Sequence, residues 1–176
     1  MKFPAHTISL MIPHPDSSPT AIKCAIITVS DTRTLNTDKS GQLIKQLLQD
    51  QGHQVIFHTV VKDEPPEIQN LLEYCDYQFE LEAVIINGGT GIAPRDTTYD
   101  VVSNWLSKTI PGFGEIFRYL SYQEIGSRAI ASRAVAGVKN HKLIFSLPGS
   151  TNAVQLAIEQ LILPELNHLV KQVQGK

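Results

Sequence analysis

Short apolar runs alternate with helical stripes along most of this 176-residue chain. Continuous runs rich in β-branched residues, which are typical of buried parallel strands, predict strands at residues 22–29, 83–86 and 142–147. A looser alternation of apolar and polar residues predicts a further strand at residues 53–61. Apolar residues spaced three and four apart predict a helix after each strand, beginning near residues 38, 65, 99 and 151.

The regular alternation of strands and helices predicts the fold class. Such an order is typical of an α/β protein, here a three-layer α/β/α sandwich with a mostly parallel sheet. Residues 111–138 interrupt the order as a less regular region, and Pro164 is expected to kink or restart the last helix. Residues 21–176 are predicted to form a single domain, whereas residues 1–20, with four prolines and no stable period, predict a flexible extension.

A glycine-rich stretch, Gly88-Gly89-Thr90-Gly91, follows the apolar run at residues 83–86 after one residue, Asn87. Glycine tolerates a positive φ and lets the backbone approach a ligand closely. In a parallel sheet the carboxyl ends of the strands share one edge, and ligands bind there. The polar groups expected at that edge follow four strands, at residues 30–33, 63, 88–98 and 148–151.

Two of these groups allow more than one interpretation. The stretch at residues 30–33, Ser-Asp-Thr-Arg, fits a turn followed by a helix cap about as well as it fits a binding site. Asp63 fits either the N-cap of the helix that starts at Pro65 or a carboxylate at the end of the second strand that faces the same crevice as the glycine loop. The residue types alone slightly favour the cap.

The same edge predicts a chemistry. Glycine loops and hydroxyl groups suit phosphate, and Asp31, Asp63 and Asp96 offer the oxygen ligands that Mg²⁺ prefers. Together they favour nucleotide chemistry, in the form of phosphoryl or nucleotidyl transfer. The loop lacks the lysine of a Walker A motif and the spacing of a dinucleotide-binding motif, which argues against a P-loop NTPase or a dehydrogenase.

The composition argues against several other classes. The formal net charge is −2, so no basic field favours nucleic acid or an anionic membrane. No apolar stretch approaches the roughly 20 residues that span a bilayer, and prolines break any leader-like run, so we expect a cytoplasmic protein. Cys24 and Cys75 lack a CxxC partner and are expected to be reduced core thiols. The histidines lack ligand spacing, which argues against zinc.

Four motifs, in the right order and spacing, resemble the MoaB/MogA family of molybdenum cofactor biosynthesis proteins over about residues 22–170. They are Val-Ser-Asp-Thr-Arg at 29–33, Gly-Gly-Thr-Gly with Arg-Asp at 88–96, Pro-Gly-Phe-Gly-Glu at 111–115 and Leu-Pro-Gly-Ser at 147–150. The segments at residues 124–127 and 132–137 resemble the MoaB branch more than MogA. Thr97 replaces the usual valine and Tyr99-Asp100 the frequent Pro-Glu, and both changes are conservative.

The resemblance implies a molybdopterin-binding-domain fold that forms trimers or hexamers and has molybdopterin as its substrate. It further implies an adenylyltransferase, which uses Mg-ATP to adenylylate the terminal phosphate of molybdopterin and releases molybdopterin-AMP and pyrophosphate. Partners among other cofactor-biosynthesis proteins are also expected. Two alternatives stay open: a non-catalytic protein that binds or delivers molybdopterin or a precursor, and an α/β domain for another nucleotide-like ligand.

By position, the resemblance assigns catalysis and Mg²⁺ ligation to Asp63 and Asp96, and so favours a ligand role for Asp63 over the cap. It assigns molybdopterin and nucleotide binding to a wider set of residues: Ser30, Asp31, Gly88, Gly89, Thr90, Gly91, Arg95, Pro148, Gly149 and Ser150.

Overall fold

One six-stranded mixed sheet forms the centre of the protein in the computed structural model, which describes residues 20–175. The predicted flexible extension therefore lies outside the described residues, except for Thr20. The strands are β1 (Lys23–Val29), β2 (Gln54–Val61), β3 (Ala83–Asn87), β4 (Lys108–Thr109), β5 (Val135–Lys139) and β6 (Lys142–Leu147). Their order is β2-β1-β3-β6-β5-β4. The first four of these pair in parallel, whereas β5 and β4 are antiparallel, so the prediction of a mostly parallel sheet is confirmed.

Helices cover both faces of the sheet. They are α1 (Lys39–Asp50), α2 (Pro65–Tyr77), α3 (Thr98–Trp105), α4 (Pro111–Ile125), α5 (Thr151–Ala157) and α6 (Leu163–Gln174). Because side chains alternate along a strand, β1 contributes Ile26 to one core and Ile27 to the other. The first core packs against α1, α4, α5 and α6, and the second against α2 and α3. The predicted three-layer α/β/α sandwich is therefore confirmed.

The region predicted to be irregular, residues 111–138, is mostly regular. It contains helix α4, a 3₁₀ turn at Gly126–Ala131 and strand β5. Helix α4 buries Phe113 and Phe117 but leaves Ile116, Tyr119 and other large apolar residues exposed. Apolar residues on both faces hide the amphipathic stripe by which a helix is recognised in a sequence.

The last helical region of the chain is interrupted near Pro164, as predicted. A π-helical segment at Ile158–Ile162 separates α5 from α6, and Pro164 lies in the first turn of α6. Proline lacks the N–H that would continue the preceding helix, but the first turn of a new helix does not need that donor. The predicted restart is confirmed.

The strand register brings the predicted loops together. Val29 lies beside Val61, and Asn87 lies beside both Thr28 and Leu147. The loops after β1, β2, β3 and β6 therefore emerge at one edge, as predicted. β1 lies between β2 and β3, so this edge includes the point where the chain reverses its direction across the sheet.

Two smaller observations concern the body of the domain. Cys24 and Cys75 are buried and free, and desolvation raises the pKa of each thiol to about 12. Within residues 20–175, no helix has both the length and the apolar character needed to cross a bilayer.

Candidate functional site

A cavity of about 430 Å³ lies at the carboxyl edge of the sheet, among the loops that follow β1, β3 and β6. Its walls include eight of the predicted site residues: Ser30, Gly88, Gly89, Thr90, Gly91, Asp96, Pro148 and Gly149. The other four predicted residues do not line it: Asp31, Asp63, Arg95 and Ser150. Three arginines also line it: Arg33, which belongs to the polar stretch at residues 30–33, and Arg128 and Arg133, which sequence reasoning did not include in the site.

The loops approach each other so closely that glycine is required. Gly88 has φ +100°, and its N–H donates to the Leu147 carbonyl at 3.0 Å. A side chain at Gly88 would collide with the Val29 carbonyl, and one at Gly149 would lie 3.0 Å from the Gly88 Cα. The loops after β1, β3 and β6 therefore meet backbone to backbone, as the glycines predict.

The glycine loop offers unused hydrogen-bond donors. Within residues 20–175, the N–H groups of Gly89, Thr90 and Gly91 donate no hydrogen bond, although all three residues line the cavity. Successive backbone N–H groups in a concave loop form an anion site, because each carries a partial positive charge. The backbone of this loop is therefore suited to bind phosphate oxygens.

Arg133 fixes the outer side of the glycine loop. Its guanidinium donates to the carbonyls of Thr90 at 3.1 Å and of Gly91 at 2.6 Å. Its Nη1 also donates to both carboxylate oxygens of Asp100, at 3.0 and 3.1 Å, and the guanidinium lies over the Tyr99 ring at 4.7 Å. Arg133 is therefore fully occupied by the protein, and its role is to hold the loop.

Asp63 supports the loop from below. Its side chain is buried, and Oδ1 accepts hydrogen bonds from the Thr97 N–H at 3.1 Å and the Thr97 hydroxyl at 2.6 Å. The predicted cap of α2 is wrong, because Glu64 holds that N-cap position. The alternative, a carboxylate that faces the same crevice as the glycine loop, is met only in part: Asp63 lies against Gly89 but does not line the cavity.

Arg95 and Asp31 form an exposed ion cluster beside the cavity. Arg95 binds Asp31 through two hydrogen bonds of 2.9 Å and Glu64 through a third of 2.7 Å. The Asp31 carboxylate also accepts the Asp63 N–H at 3.1 Å. These contacts join the loops that follow β1, β2 and β3, and they already satisfy the charge of Arg95.

Residues 30–33 form the predicted turn, and part of this turn reaches the cavity. The Ser30 hydroxyl accepts the N–H groups of Thr32 and Arg33 at 3.3 and 3.2 Å, which is a turn, and Ser30 also lines the cavity. Ser150, in contrast, caps α5 by accepting the Ala153 N–H at 3.3 Å.

A buried polar network lies beneath these loops. The fully buried Asp38 carboxylate accepts from the Thr28 hydroxyl at 2.6 Å and the Gly41 N–H at 3.0 Å, and it lies 2.8 Å from His58 Nε2. Asn87 donates to the same Thr28 hydroxyl at 2.8 Å. Sequence reasoning missed this network, which links the ends of β1, β2 and β3 to the start of α1.

The capacity of the site for a metal is concentrated in one residue. No group of three or more histidine, cysteine, aspartate or glutamate side chains within residues 20–175 is arranged to hold a metal ion. Asp96 is the carboxylate that lines the cavity, and its Oδ2 accepts the Ala93 N–H at 3.2 Å. Its Oδ1 accepts no hydrogen bond from the described residues and suits a single oxygen contact with Mg²⁺ beside substrate phosphates.

Comparison with known proteins gives a consistent match. A family model described as a probable molybdopterin binding domain matches residues 25–168. A protein of Halalkalibacterium halodurans named molybdenum cofactor biosynthesis protein B is 53% identical over 161 residues, which cover 91% of this chain and 95% of that protein. A crystal structure of a molybdenum cofactor biosynthesis protein B superposes with a TM-score of 0.88 at 46% identity, covering 91% of this chain and 100% of the other. The tungsten cofactor synthesizing protein MoaB from Pyrococcus furiosus superposes with a TM-score of 0.80 at 34% identity over 89% and 99%.

The close contact beneath the glycine loop predicts a strong effect of a single methyl group. Gly89 and Gly52 have φ +62° and +81°, a region that costs an L-residue about 1–2 kcal/mol. At Gly89 the new methyl would also collide with Asp63 and Thr98, whereas at Gly52 it would meet nothing. We expect Gly89→Ala to lower the free energy of unfolding by at least about 1 kcal/mol more than Gly52→Ala, as measured by urea denaturation. Equal losses would contradict the contact.

The ion cluster predicts a measurable pKa. Hydrogen bonds from Arg95 hold the pKa of the Asp31 carboxyl below its usual value of about 3.9. Such a group stabilises the folded state above its unfolded pKa and loses that contribution as the pH falls through the folded pKa. We therefore expect the ion pair to persist at about pH 4 and to be lost only below it. In carboxyl NMR titrations, Arg95→Gln should raise the Asp31 pKa, and the control Arg118→Gln should leave it unchanged. An Asp31 pKa that is the same in Arg95→Gln as in the wild type would refute the assignment.

Proposed function

This chain belongs to the MoaB/MogA family of molybdenum cofactor biosynthesis proteins, and from that premise we propose that it binds molybdopterin at the glycine loop and adenylylates its terminal phosphate with Mg-ATP. The products are molybdopterin-AMP and pyrophosphate. The observation that carries the proposal is the cavity itself, where the N–H groups of Gly89, Thr90 and Gly91 have no partner among the described residues.

The reaction requires two phosphate-bearing substrates to approach each other. An oxygen of the molybdopterin phosphate attacks the α-phosphorus of ATP, and the bond from that phosphorus to the bridging oxygen breaks, so that pyrophosphate leaves. The chain contributes positioning and charge, which supply most of the catalysis in phosphate chemistry. Glycine-loop N–H groups bind phosphate oxygens and so reduce the repulsion between the two substrates.

Asp96 and Asp63 have different parts in this proposal. Asp96 lines the cavity and would hold Mg²⁺ together with the nucleotide phosphates, and the ion would neutralise phosphate charge. Asp63 acts through the loop, because its carboxylate is bonded to Thr97 and lies against Gly89. We therefore propose Asp96 as the catalytic and metal-binding carboxylate and Asp63 as its positioning partner.

A non-catalytic role is the second candidate. One observation favours it: of the two aspartates predicted to be catalytic, Asp96 lines the cavity and Asp63 does not. In that case the protein would bind molybdopterin or a precursor through the same loop without turning over ATP.

The enzyme proposal predicts pyrophosphate release when the protein is mixed with molybdopterin, ATP and Mg²⁺. Asp96→Asn should reduce the release rate at least about tenfold, because it removes a charge that binds Mg²⁺, while molybdopterin affinity stays within about threefold. The exposed Asp50, at the end of α1, provides the matched control, and Asp50→Asn should leave the rate unchanged. Binding of molybdopterin without any pyrophosphate release by the wild type would instead establish the non-catalytic role.

We further propose that the chain assembles as a trimer or hexamer through helix α4. Four large apolar side chains at three-residue spacing are at least half exposed on this helix: Ile116, Tyr119, Tyr122 and Ile125. Ile130, on the following 3₁₀ turn, is 90% exposed. An apolar surface of this extent on one element is typical of a face that another chain covers.

The assembly proposal predicts a native mass of three or six chains by light scattering. Tyr122→Glu should dissociate the assembly, because it places a charge in the apolar face. Phe79 is also fully exposed but lies in the connection between α2 and β3, so Phe79→Glu is the control and should leave the mass unchanged. A monomeric wild type would refute the proposal.

A further inference from the structure

Three arginines line the cavity, but they differ in how far the protein already satisfies them. An arginine that is fully paired within the protein holds structure, whereas one without a partner is available to a ligand. Their hydrogen bonds therefore distinguish the arginine that binds substrate from those that support the loops.

Arg133 and Arg33 are committed to the protein. Arg133 binds two loop carbonyls and the Asp100 carboxylate, as described above. Arg33 donates from Nη1 to the Gly149 carbonyl at 3.2 Å and to the Ser40 hydroxyl at 3.4 Å, and it lies 3.8 Å from the buried Asp38. Both guanidinium groups hold loops in place.

Arg128 is different. It lies on the 3₁₀ turn at Gly126–Ala131, is exposed and lines the cavity. It makes no hydrogen bond and no ion pair with any residue in the described part of the chain. Its fork of donors fits two oxygens of one phosphate group, and the unpaired N–H groups of the glycine loop line the same cavity.

We propose that Arg128 binds a phosphate group of the substrate in this cavity. This deepens the proposed function and rests on it only in naming the two sources of that phosphate, which are the terminal phosphate of molybdopterin and the phosphates of ATP. The family resemblance places Arg95 among the binding residues, but its guanidinium is already bonded to Asp31 and Glu64, so we assign it to that ion cluster.

The first test uses inorganic pyrophosphate as the probe, because it needs neither turnover nor molybdopterin. In calorimetric titrations, Arg128→Gln should weaken binding at least about tenfold, since it removes a charge-assisted bidentate contact. Arg128→Lys keeps the positive charge but loses the planar pair of donors, so its pyrophosphate affinity should lie between those of the wild type and Arg128→Gln. Lys108→Gln removes the same charge at β4, outside the cavity, and should bind like the wild type.

Thermal unfolding separates a ligand contact from a structural one. Because Arg128 has no partner in the described chain, Arg128→Gln should keep the melting temperature of the wild type. Equal pyrophosphate affinity in Arg128→Gln and Lys108→Gln would overturn the proposal, and so would a loss of affinity that merely followed a loss of stability.

Titration with Mg-ATP and with molybdopterin then identifies the source of the phosphate. A loss confined to Mg-ATP assigns Arg128 to the nucleotide, a loss confined to molybdopterin assigns it to the terminal phosphate, and no loss with either overturns the proposal. The outcome is independent of the adenylyltransferase assay. Binding that depends on Arg128, without pyrophosphate release by the wild type, supports this proposal and refutes the adenylyltransferase proposal. Pyrophosphate release that Arg128→Gln does not alter supports the adenylyltransferase proposal and refutes this one.

Discussion

The contact on which the site depends is the approach of backbone to backbone at Gly88. This residue lies between the Val29 carbonyl and Gly149, with no space for a side chain on either side. Because three parallel strands end at this level, any added atom would push their loops apart. The cavity exists because these loops are so closely packed at their base that their backbones, rather than their side chains, form its walls.

The buried carboxylate of Asp38 makes this packing stable. A fully buried charge is costly unless it is paired and hydrogen-bonded. Here Thr28 and the Gly41 N–H donate to it, and His58 lies within hydrogen-bond distance. The network fixes helix α1 against the ends of the strands, and Ser40 on that helix donates to the Gly149 carbonyl at 2.8 Å. The Asp38 network therefore connects helix α1 to the strand ends, and Ser40 connects the same helix to the loop after β6.

The sequence predicted the features of the fold that depend on neighbouring residues in the chain. Apolar runs identified β1, β3 and β6, an alternating pattern identified β2, and the glycines identified the loop, whereas the antiparallel strands β4 and β5 were not predicted. Helix α4 was missed because its apolar residues cover two faces, of which only one is buried. Arg133 was missed as a site residue for another reason: its partners Thr90 and Gly91 lie more than forty positions away in the chain. For Asp63 the residue types slightly favoured a cap of α2, because prolines follow it closely, whereas its partner in the structure is Thr97, 34 positions on.

The two supports of the glycine loop bear on what the loop can contribute to a reaction. Asp63 holds it from below and Arg133 from outside, so its N–H groups are ordered before any ligand arrives. Such a loop binds a phosphate group with little further loss of entropy. However, it would bind the phosphate of molybdopterin about equally before and after the phosphate is adenylylated, and binding that is uniform along a reaction does not accelerate it. The loop therefore suits a carrier as well as an enzyme. An enzyme differs from a carrier in the charge that acts on the second phosphate. Among the described residues that line this cavity, the Arg128 guanidinium and Oδ1 of Asp96 accept or donate no hydrogen bond within the protein.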